Sequence, residues 1–315
     1  MKTFSIVVPV YQNRANLPET IPALLALESS LPGYRLELVL VDDGSTDGSR
    51  DLVLAAAREH PARVRAVLLT RNFGQTAATQ AGLRHAGGDC VGIISCDLQE
   101  SPALFVEMVR AWEGGTRFVL GERVERAEGG GHRALSGIYW YFVRHWAFPD
   151  YPPMGYDFCL LDRQVVNDVN RIDEKNSSIF VLIYWLGYRP HRLPLRRELR
   201  RAGRSQWRLW KKISFTTDTL IAFTPLPARL ITFAGLGSAA LCVIYLLVVV
   251  AKWYWLRAAP PGWATLAGLV LLLGALTLFS LGIISEYLRR ILEETRKRPP
   301  FVVERVEGAP PPPPS

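Results

Sequence analysis

The stretch VGIISCDLQESP, residues 91–102, decides how the chain is read. Val91, Ile93 and Ile94, with small neighbours, make an apolar run without alternation, the pattern of a central strand covered on both faces. At Ser95 the run turns polar. In an extended chain residues two apart point the same way and lie roughly 6–7 Å apart, so the Asp97 carboxylate and the Gln99 amide oxygen converge on one hard cation, with Ser95 on the same side. Such oxygen ligands suit Mg²⁺ or Mn²⁺. Asp97 would equally suit capping of a helix begun by Ser101 and Pro102. The stretch by itself leaves both readings open, and the rest of the chain must choose.

Upstream, strand-like and helix-like patterns alternate: FSIVVPV from Phe4, a helix over 17–27, LELVLV from Leu36, a helix over 50–59, VRAVLLT from Val64, a helix over 76–86, then VGIIS. This order predicts parallel strands with crossover helices, an open α/β sheet whose ligands bind beyond the carboxyl ends of the strands. Each strand ends in a polar cluster: Tyr11-Gln12-Asn13, Asp42-Asp43-Gly44-Ser45, Arg71-Asn72-Phe73-Gly74-Gln75, and Asp97-Leu98-Gln99. One cluster would be ordinary turn chemistry. Four on one edge of one sheet favour a binding site, and with it the metal reading of Asp97.

The mean hydropathy is mildly positive, and its cause is local. No charged residue occurs from Leu230 to Ala251 or from Ala258 to Ser285. Each run exceeds the ~20 apolar residues that cross a bilayer core, so a transmembrane hairpin is expected. Lys and Arg flank the pair, at Arg204, Arg208, Lys211, Lys212 and Arg229 before it and at Arg289, Arg290, Arg296, Lys297 and Arg298 after it, which predicts that both ends lie in the cytoplasm. The amino terminus carries no signal-peptide pattern. The expected organisation is a cytosolic catalytic domain over 1–204, interfacial amphipathic helices over 205–228, a hairpin over 229–288 with spans about 230–251 and 262–285, and a cytosolic basic tail over 289–315 with a disordered proline-rich end. A bacterial-type inner membrane is the expected location. Gly235, Gly237 and Ser238 suit helix packing within or between chains, so a homo-oligomer is one expectation.

The four cysteines show no paired spacing and are read as reduced, mostly buried fillers. From Gly121, GERVERAEGGGHRA has the length and composition of a mobile flap. Arg189 to Lys212 holds ten Lys or Arg against one Glu. With Trp207 and Trp210 within it and the first span close behind, its expected partner is an anionic lipid surface and not nucleic acid.

The motifs SIVVPVYQNRANL, VDDGSTDGS, RNFGQTAATQAGL, CDLQESP, DFCLLDR and RRAGRSQW, in that order and followed by the hairpin and SEYLRRILEETRKRPPFVV, resemble the polyprenyl-phosphate glycosyltransferases. These are inverting family 2 glycosyltransferases related to dolichol-phosphate mannose synthase. The resemblance runs from about residue 4 to residue 304 and implies a GT-A-type α/β nucleotide-sugar-binding domain that uses Mg²⁺ or Mn²⁺. It implies that Pro9, Tyr11 and Asp42 surround the nucleoside with Asp43 nearby, and that Gly74, Gln75, Ser95 and Cys96 line the nucleotide-sugar pocket, Cys96 as a small filler. Asp97 and Gln99 would hold the metal. Asp157 falls on the acidic position near the reacting sugar, and Arg123, Arg126, Arg201 and Ser205 would face donor or acceptor phosphates. Asp97, Asp157 and Arg201 are the expected catalytic set.

Two departures stand out. Ser95 occupies the place where many relatives carry the first acid of the metal motif; the hydroxyl removes one negative charge, so metal alone should bind weakly and metal with nucleotide diphosphate better. Gln12-Asn13-Arg14 stand where relatives often carry Asn-Glu. The resemblance implies a UDP-, GDP- or dTDP-sugar donor and an undecaprenyl- or dolichyl-type phosphate acceptor in the membrane. A membrane-anchored nucleotide-binding protein whose site has degenerated at Ser95 is the rival. A processive polysaccharide synthase would need more spans and a Gln-x-x-Arg-Trp signature, which Gln206-Trp207-Arg208 does not provide.

Overall fold

The computed structural model describes residues 1–124, 148–172, 174, 177–195, 226–256 and 262–308. The chain divides into two compact units, Met1–Ile213 with Pro299–Ser315, and Ser214–Arg298.

The first unit is built on a mixed eight-stranded sheet. Its strands are β1 (Lys2–Val10), β2 (Tyr34–Asp42), β3 (Val64–Leu69), β4 (Cys90–Ile93), β5 (Phe118–Arg123), β6 (Cys159–Asp162), β7 (His191–Leu195) and β8 (Val303–Glu307), in the order β7-β5-β6-β4-β1-β2-β3-β8. β4, β1, β2 and β3 are parallel, as their alternation with helices predicts. β6 runs antiparallel to β4 and β5, and β7 is parallel to β5, so the second half of the sheet is mixed. The helices of this unit are α1 (Leu17–Leu25), α2 (Leu27–Ser30), α3 (Ser49–Glu59), α4 (Gln75–His85), α5 (Leu104–Glu113), α6 (Arg163–Asn170) and α7 (Ile179–Trp185).

Burial explains the unalternating strands. Every residue of β3 and β4 is buried, and so is β2 from Leu36 onward, because helices cover both faces. α4 approaches β1 closely through Ala77, Ala78, Ala81 and Gly82. A Cβ at position 82 would stand 2.2 Å from Val7 Cγ1, so only glycine allows this packing. Phe105 of α5 meets Phe4 of β1 edge to face and Phe158, just before β6, at a tilt.

Two differences from the sequence reading affect the site. β4 stops at Ile93, before Ser95. And residues 303–307, read as part of a cytosolic basic tail, form β8, which pairs antiparallel with β3 and closes that edge of the sheet. Phe301 is buried beside it with the Arg84 guanidinium over its ring, and Arg50 pairs with Glu304 at 2.6 Å.

In the second unit α8 (Leu226–Leu256) and α9 (Trp263–Thr295) contain segments long and apolar enough to cross a membrane, Ile231–Lys252 and Gly268–Thr295. At 1.5 Å per residue each helix is longer than the ~30 Å hydrocarbon core. Near its end α9 turns charged, with Arg289 paired at 2.6 Å to both Glu286 and Glu293. The expected interfacial segment lies outside the described residues up to 225.

Candidate active site

Because β1 to β4 are parallel, their carboxyl ends share one edge, and the polar clusters meet there. The loop after β1 is stitched to the loop after β2. Gln12 N donates to Ser45 Oγ at 3.1 Å, Asn13 N to Ser49 Oγ at 2.9 Å, and Arg14 N to Asp47 Oδ2 at 3.0 Å. Gln12 takes a positive φ of 53° to make this turn. The three residues that depart from the family pattern thus hold two strand ends together.

Asp42, at the end of β2, is fully buried and accepts from Ser45 N at 3.3 Å. Burial pushes its carboxyl above the ordinary aspartate value, against the hydrogen bonds from Ser45 and the charge of Arg50. Asp43, 2% exposed, turns to the loop after β3, where it accepts from Phe73 N at 2.7 Å and Gly74 N at 2.9 Å. Its carboxyl is raised for the same reason. Between that loop and β2 there is no room for a side chain: a Cβ on Gly44, whose φ is +69°, would lie 2.6 Å from the Arg71 carbonyl carbon. Gly74 then opens α4, with Gln75 exposed as its first residue.

At the end of β4 the chain does not stay extended. Leu98 has a φ of 47°, a left-handed conformation that costs a branched residue about 1–3 kcal/mol. The extended-strand spacing expected to bring Asp97 and Gln99 together is therefore replaced by a tight loop, pinned from α1 by Thr20 Oγ1, which donates to the Cys96 carbonyl at 2.8 Å. Within it Ser95 Oγ lies 2.8 Å from Asp97 Oδ1 and 2.6 Å from Glu100 Oε2. Asp97 does not cap the next helix: α5 follows Ala103 without a side-chain cap. Cys96 is buried, its thiol pushed up to about 12 by desolvation, in keeping with an inert filler.

The antiparallel half of the sheet brings the second cluster to the same edge. Ile93 at the end of β4 pairs with Cys159 at the start of β6, which places Asp157 at the carboxyl edge. β5 ends there too, and Arg123 Nη2 donates to both oxygens of Asp157 at 2.6 Å. Tyr156 fixes the approach, its buried hydroxyl donating to the Phe180 carbonyl at 2.5 Å.

Glycosyl transferase family 2 matches residues 5–169, which run from β1 into α6 and contain every strand end just described. The chain belongs to glycosyl transferase family 2. A Synechocystis protein described as the uncharacterized glycosyltransferase sll0501 is 32% identical over 96% of this chain and 95% of its own length. The prophage bactoprenol glucosyl transferase homolog of Escherichia coli K12 is 29% identical over 96% of this chain and 99% of its own. Among solved structures, Mycobacterium tuberculosis glucosyl-3-phosphoglycerate synthase, crystallised with Mn²⁺, UDP and glucosyl-3-phosphoglycerate, is a distant likeness with a TM-score of 0.47 at 18% identity, covering 70% of this chain and 78% of that one.

In this family 2 glycosyltransferase the structure gathers Tyr11, Asp42, Asp43, Gly74, Gln75, Ser95, Asp97, Gln99, Arg123 and Asp157 at one edge, with Pro9 inside β1 just below it. Arg126, Arg201 and Ser205 lie outside the described residues. Sequence reasoning passed over Ser49, Asp47 and Thr20, whose side chains are spent on the loops, and Glu100, which is fully buried. Among the described residues no three His, Cys, Asp or Glu side chains gather as a metal cluster. The oxygens shown together there are the Ser95 hydroxyl and the Asp97 and Glu100 carboxylates, with Gln99 on the same loop, and oxygen donors suit a hard divalent ion.

The raised carboxyl of Asp42 carries a prediction. A group whose folded pKa exceeds its unfolded value costs no stability below the unfolded value and costs progressively more as pH rises through the folded one. Ionised Asp42 therefore destabilises the fold at neutral pH. Asp42→Asn, which still accepts from Ser45 N, is expected to melt higher than wild type at pH 7.5, with the gap closing toward pH 4. Melting curves across that pH range check it.

Proposed function

We propose that this glycosyltransferase moves a sugar, with inversion, from a nucleotide-sugar to a polyprenyl phosphate at the cytosolic membrane face, using a divalent metal, and leaves a polyprenyl-phosphate-linked monosaccharide. The observation that carries this reading is the extent of the match to the bactoprenol glucosyl transferase homolog. It spans nearly both whole chains, and so takes in the two apolar helices as well as the nucleotide domain.

The chemistry fits the residues. The attacking oxygen of a phosphate monoester, with a second pKa near 6, is already anionic at neutral pH. No strong general base is needed, and among the described acids of the edge Asp42 and Asp43 are buried and Asp157 is held by Arg123. Asp157 orients substrate while Arg123 remains beside it to meet anionic oxygens. Asp97 and Gln99, with Ser95 between β4 and the turn, would hold the metal, which when bound supplies charge neutralisation at the leaving diphosphate. Asp42, at the other side of the β1–β4 switch, serves the nucleoside, in keeping with ligand binding where strand order reverses.

Chain connectivity supports the topology. The hairpin segment leaves the nucleotide-domain unit at residue 213 and the chain rejoins that unit at Pro299, where β8 enters its sheet. A two-span hairpin entered and left from one folded unit fits both ends lying on one membrane face, and the flanking Lys and Arg favour the cytosolic one.

The test is transfer of radiolabelled sugar from UDP-, GDP- and dTDP-sugars to undecaprenyl phosphate by the detergent-solubilised chain with Mg²⁺, Mn²⁺ or chelator. Label entering the lipid phase from one donor, and lost with chelator, is the expected result. Nucleotide binding without transfer from any donor would instead identify a degenerate binding protein.

A further inference from the structure

Among the described residues of the nucleotide-domain unit, two that are not glycine hold a left-handed backbone, Gln12 at a φ of 53° and Leu98 at 47°. Both stand at the candidate edge, Gln12 in the loop after β1 and Leu98 in the loop after β4. β4 and β1 are neighbours in the sheet, and the strand order reverses between them, so the two residues flank the crevice where sheets of this kind bind ligands. In this conformation the Cβ crowds the following carbonyl, and it persists only where the surroundings fix it. Gln12 is fixed by its own bonds, its N–H to Ser45 Oγ and its side chain to Thr46 Oγ1 at 2.9 Å. Leu98 is fixed by its neighbours. Before it, Ile94 N donates to the Val7 carbonyl at 3.1 Å, and the fully buried Thr20 donates to the Cys96 carbonyl at 2.8 Å. After it, Glu100 is buried and Leu104 N donates to the Ser101 carbonyl at 3.1 Å as α5 begins.

We infer that Leu98 is a positioning residue of the candidate site and that it acts through its backbone: its left-handed turn sets Asp97 relative to Gln99. The two soft dihedrals of a residue decide how the residues on either side of it are directed. An extended residue 98 would leave positions 97 and 99 roughly 6–7 Å apart on a straight strand, whereas the left-handed one turns the chain between them. The Leu98 side chain gives no comparable reason for its place, since it is half-buried and outside the fully buried core. Its role rests on the metal that the proposed function assigns to Asp97 and Gln99, and adds to that assignment the element that holds the two together.

The experiment is a Mn²⁺ titration followed by electron paramagnetic resonance on the full chain in detergent micelles, with metal alone and with saturating UDP or GDP. Four variants separate backbone from side chain. Glycine and asparagine accept a left-handed backbone, and valine and isoleucine, branched at Cβ, do not. Leu98→Gly and Leu98→Asn are expected to bind Mn²⁺ like wild type. Leu98→Val and Leu98→Ile are expected to bind it about 10–100-fold more weakly, the usual effect of losing a group that orients a metal ligand. Nucleotide affinity without metal stays unchanged in all four, and the glycine and asparagine variants melt above the valine and isoleucine ones. A role in packing would order the variants the opposite way, because valine and isoleucine keep the apolar bulk.

Wild-type Mn²⁺ affinity in Leu98→Val or Leu98→Ile overturns the inference, and so does weakened affinity in Leu98→Gly or Leu98→Asn. The second outcome stays readable if the branched variants fail to fold. Asp97→Ala separates failure of the inference from failure of the assignment beneath it. If Asp97→Ala loses Mn²⁺ while Leu98→Val and Leu98→Ile keep it, the metal site stands and only the role of Leu98 falls. If Asp97→Ala binds Mn²⁺ normally, the metal assignment falls and the role of Leu98 with it.

Discussion

Asp97→Ala is expected to lower sugar transfer about 10²–10³-fold, the usual loss when a group that stabilises developing transition-state charge is removed, and to leave the remaining activity unresponsive to Mn²⁺. Three acids lie at the ends of β2 and β4 with different surroundings. Asp42 is sealed under Ser45, and Asp43 spends both oxygens on Phe73 and Gly74. Asp97 is half-buried on a loop beside a hydroxyl and a second carboxylate. If Asp42 or Asp43 held the metal, Asp97→Ala would keep a normal Mn²⁺ response, and that outcome would sink the assignment. Misfolding does not mimic the effect, because a half-buried side chain on a loop contributes little to stability, within about 1 kcal/mol. Transfer rates at several Mn²⁺ concentrations, with a melting curve as control, decide it.

The sequence reading reached the parallel core because the physics there is local. Unalternating apolar runs such as LELVLV and VGIIS have no stable home except between two helical layers, and the polar residues that follow them fall where parallel strands must end. The edge residues were legible for the same reason. The geometry that makes them a site was less so. Leu98 adopts a backbone conformation that its residue type disfavours, which no propensity would announce. Glu100 was passed over, since its burial depends on that turn. Gln12, Asn13 and Arg14 read only as a departure from the family pattern, and their backbone bonds to Ser45, Ser49 and Asp47 depend on β1 and β2 lying side by side. The mixed half of the sheet was least legible. β6 and β7 are short and separated by long connections, so nothing nearby in sequence states their direction.

Removing residues 299–315 is expected to lower the apparent melting temperature of the nucleotide domain by roughly 6–12 °C and to cause aggregation, whereas stopping the chain after Gly308 is expected to change neither. β8 reads as tail because VERVE is charged, flanked by RKRPP and followed by a proline run. Charge at a sheet edge is nevertheless what keeps an edge strand from recruiting other chains, and here Glu304 and Glu307 also meet Arg50 and Arg58 of α3. Without β8 the backbone of β3 from Ala66 to Leu69 loses its antiparallel partner. That strand is buried along its whole length and carries no charge after Arg65, so its bare edge invites pairing between molecules. Loss of the buried Phe301 ring alone is worth about 1.5–3 kcal/mol, and about 3 kcal/mol in all, at 2–4 °C per kcal/mol for a domain of this size, gives the stated shift. The truncation also cuts the second attachment of the hairpin to the nucleotide domain, so transfer to a lipid-held acceptor should fall further than transfer to a short, water-soluble polyprenyl phosphate. A truncated chain that melts and transfers like wild type would mean that β8 is an ornament of the edge.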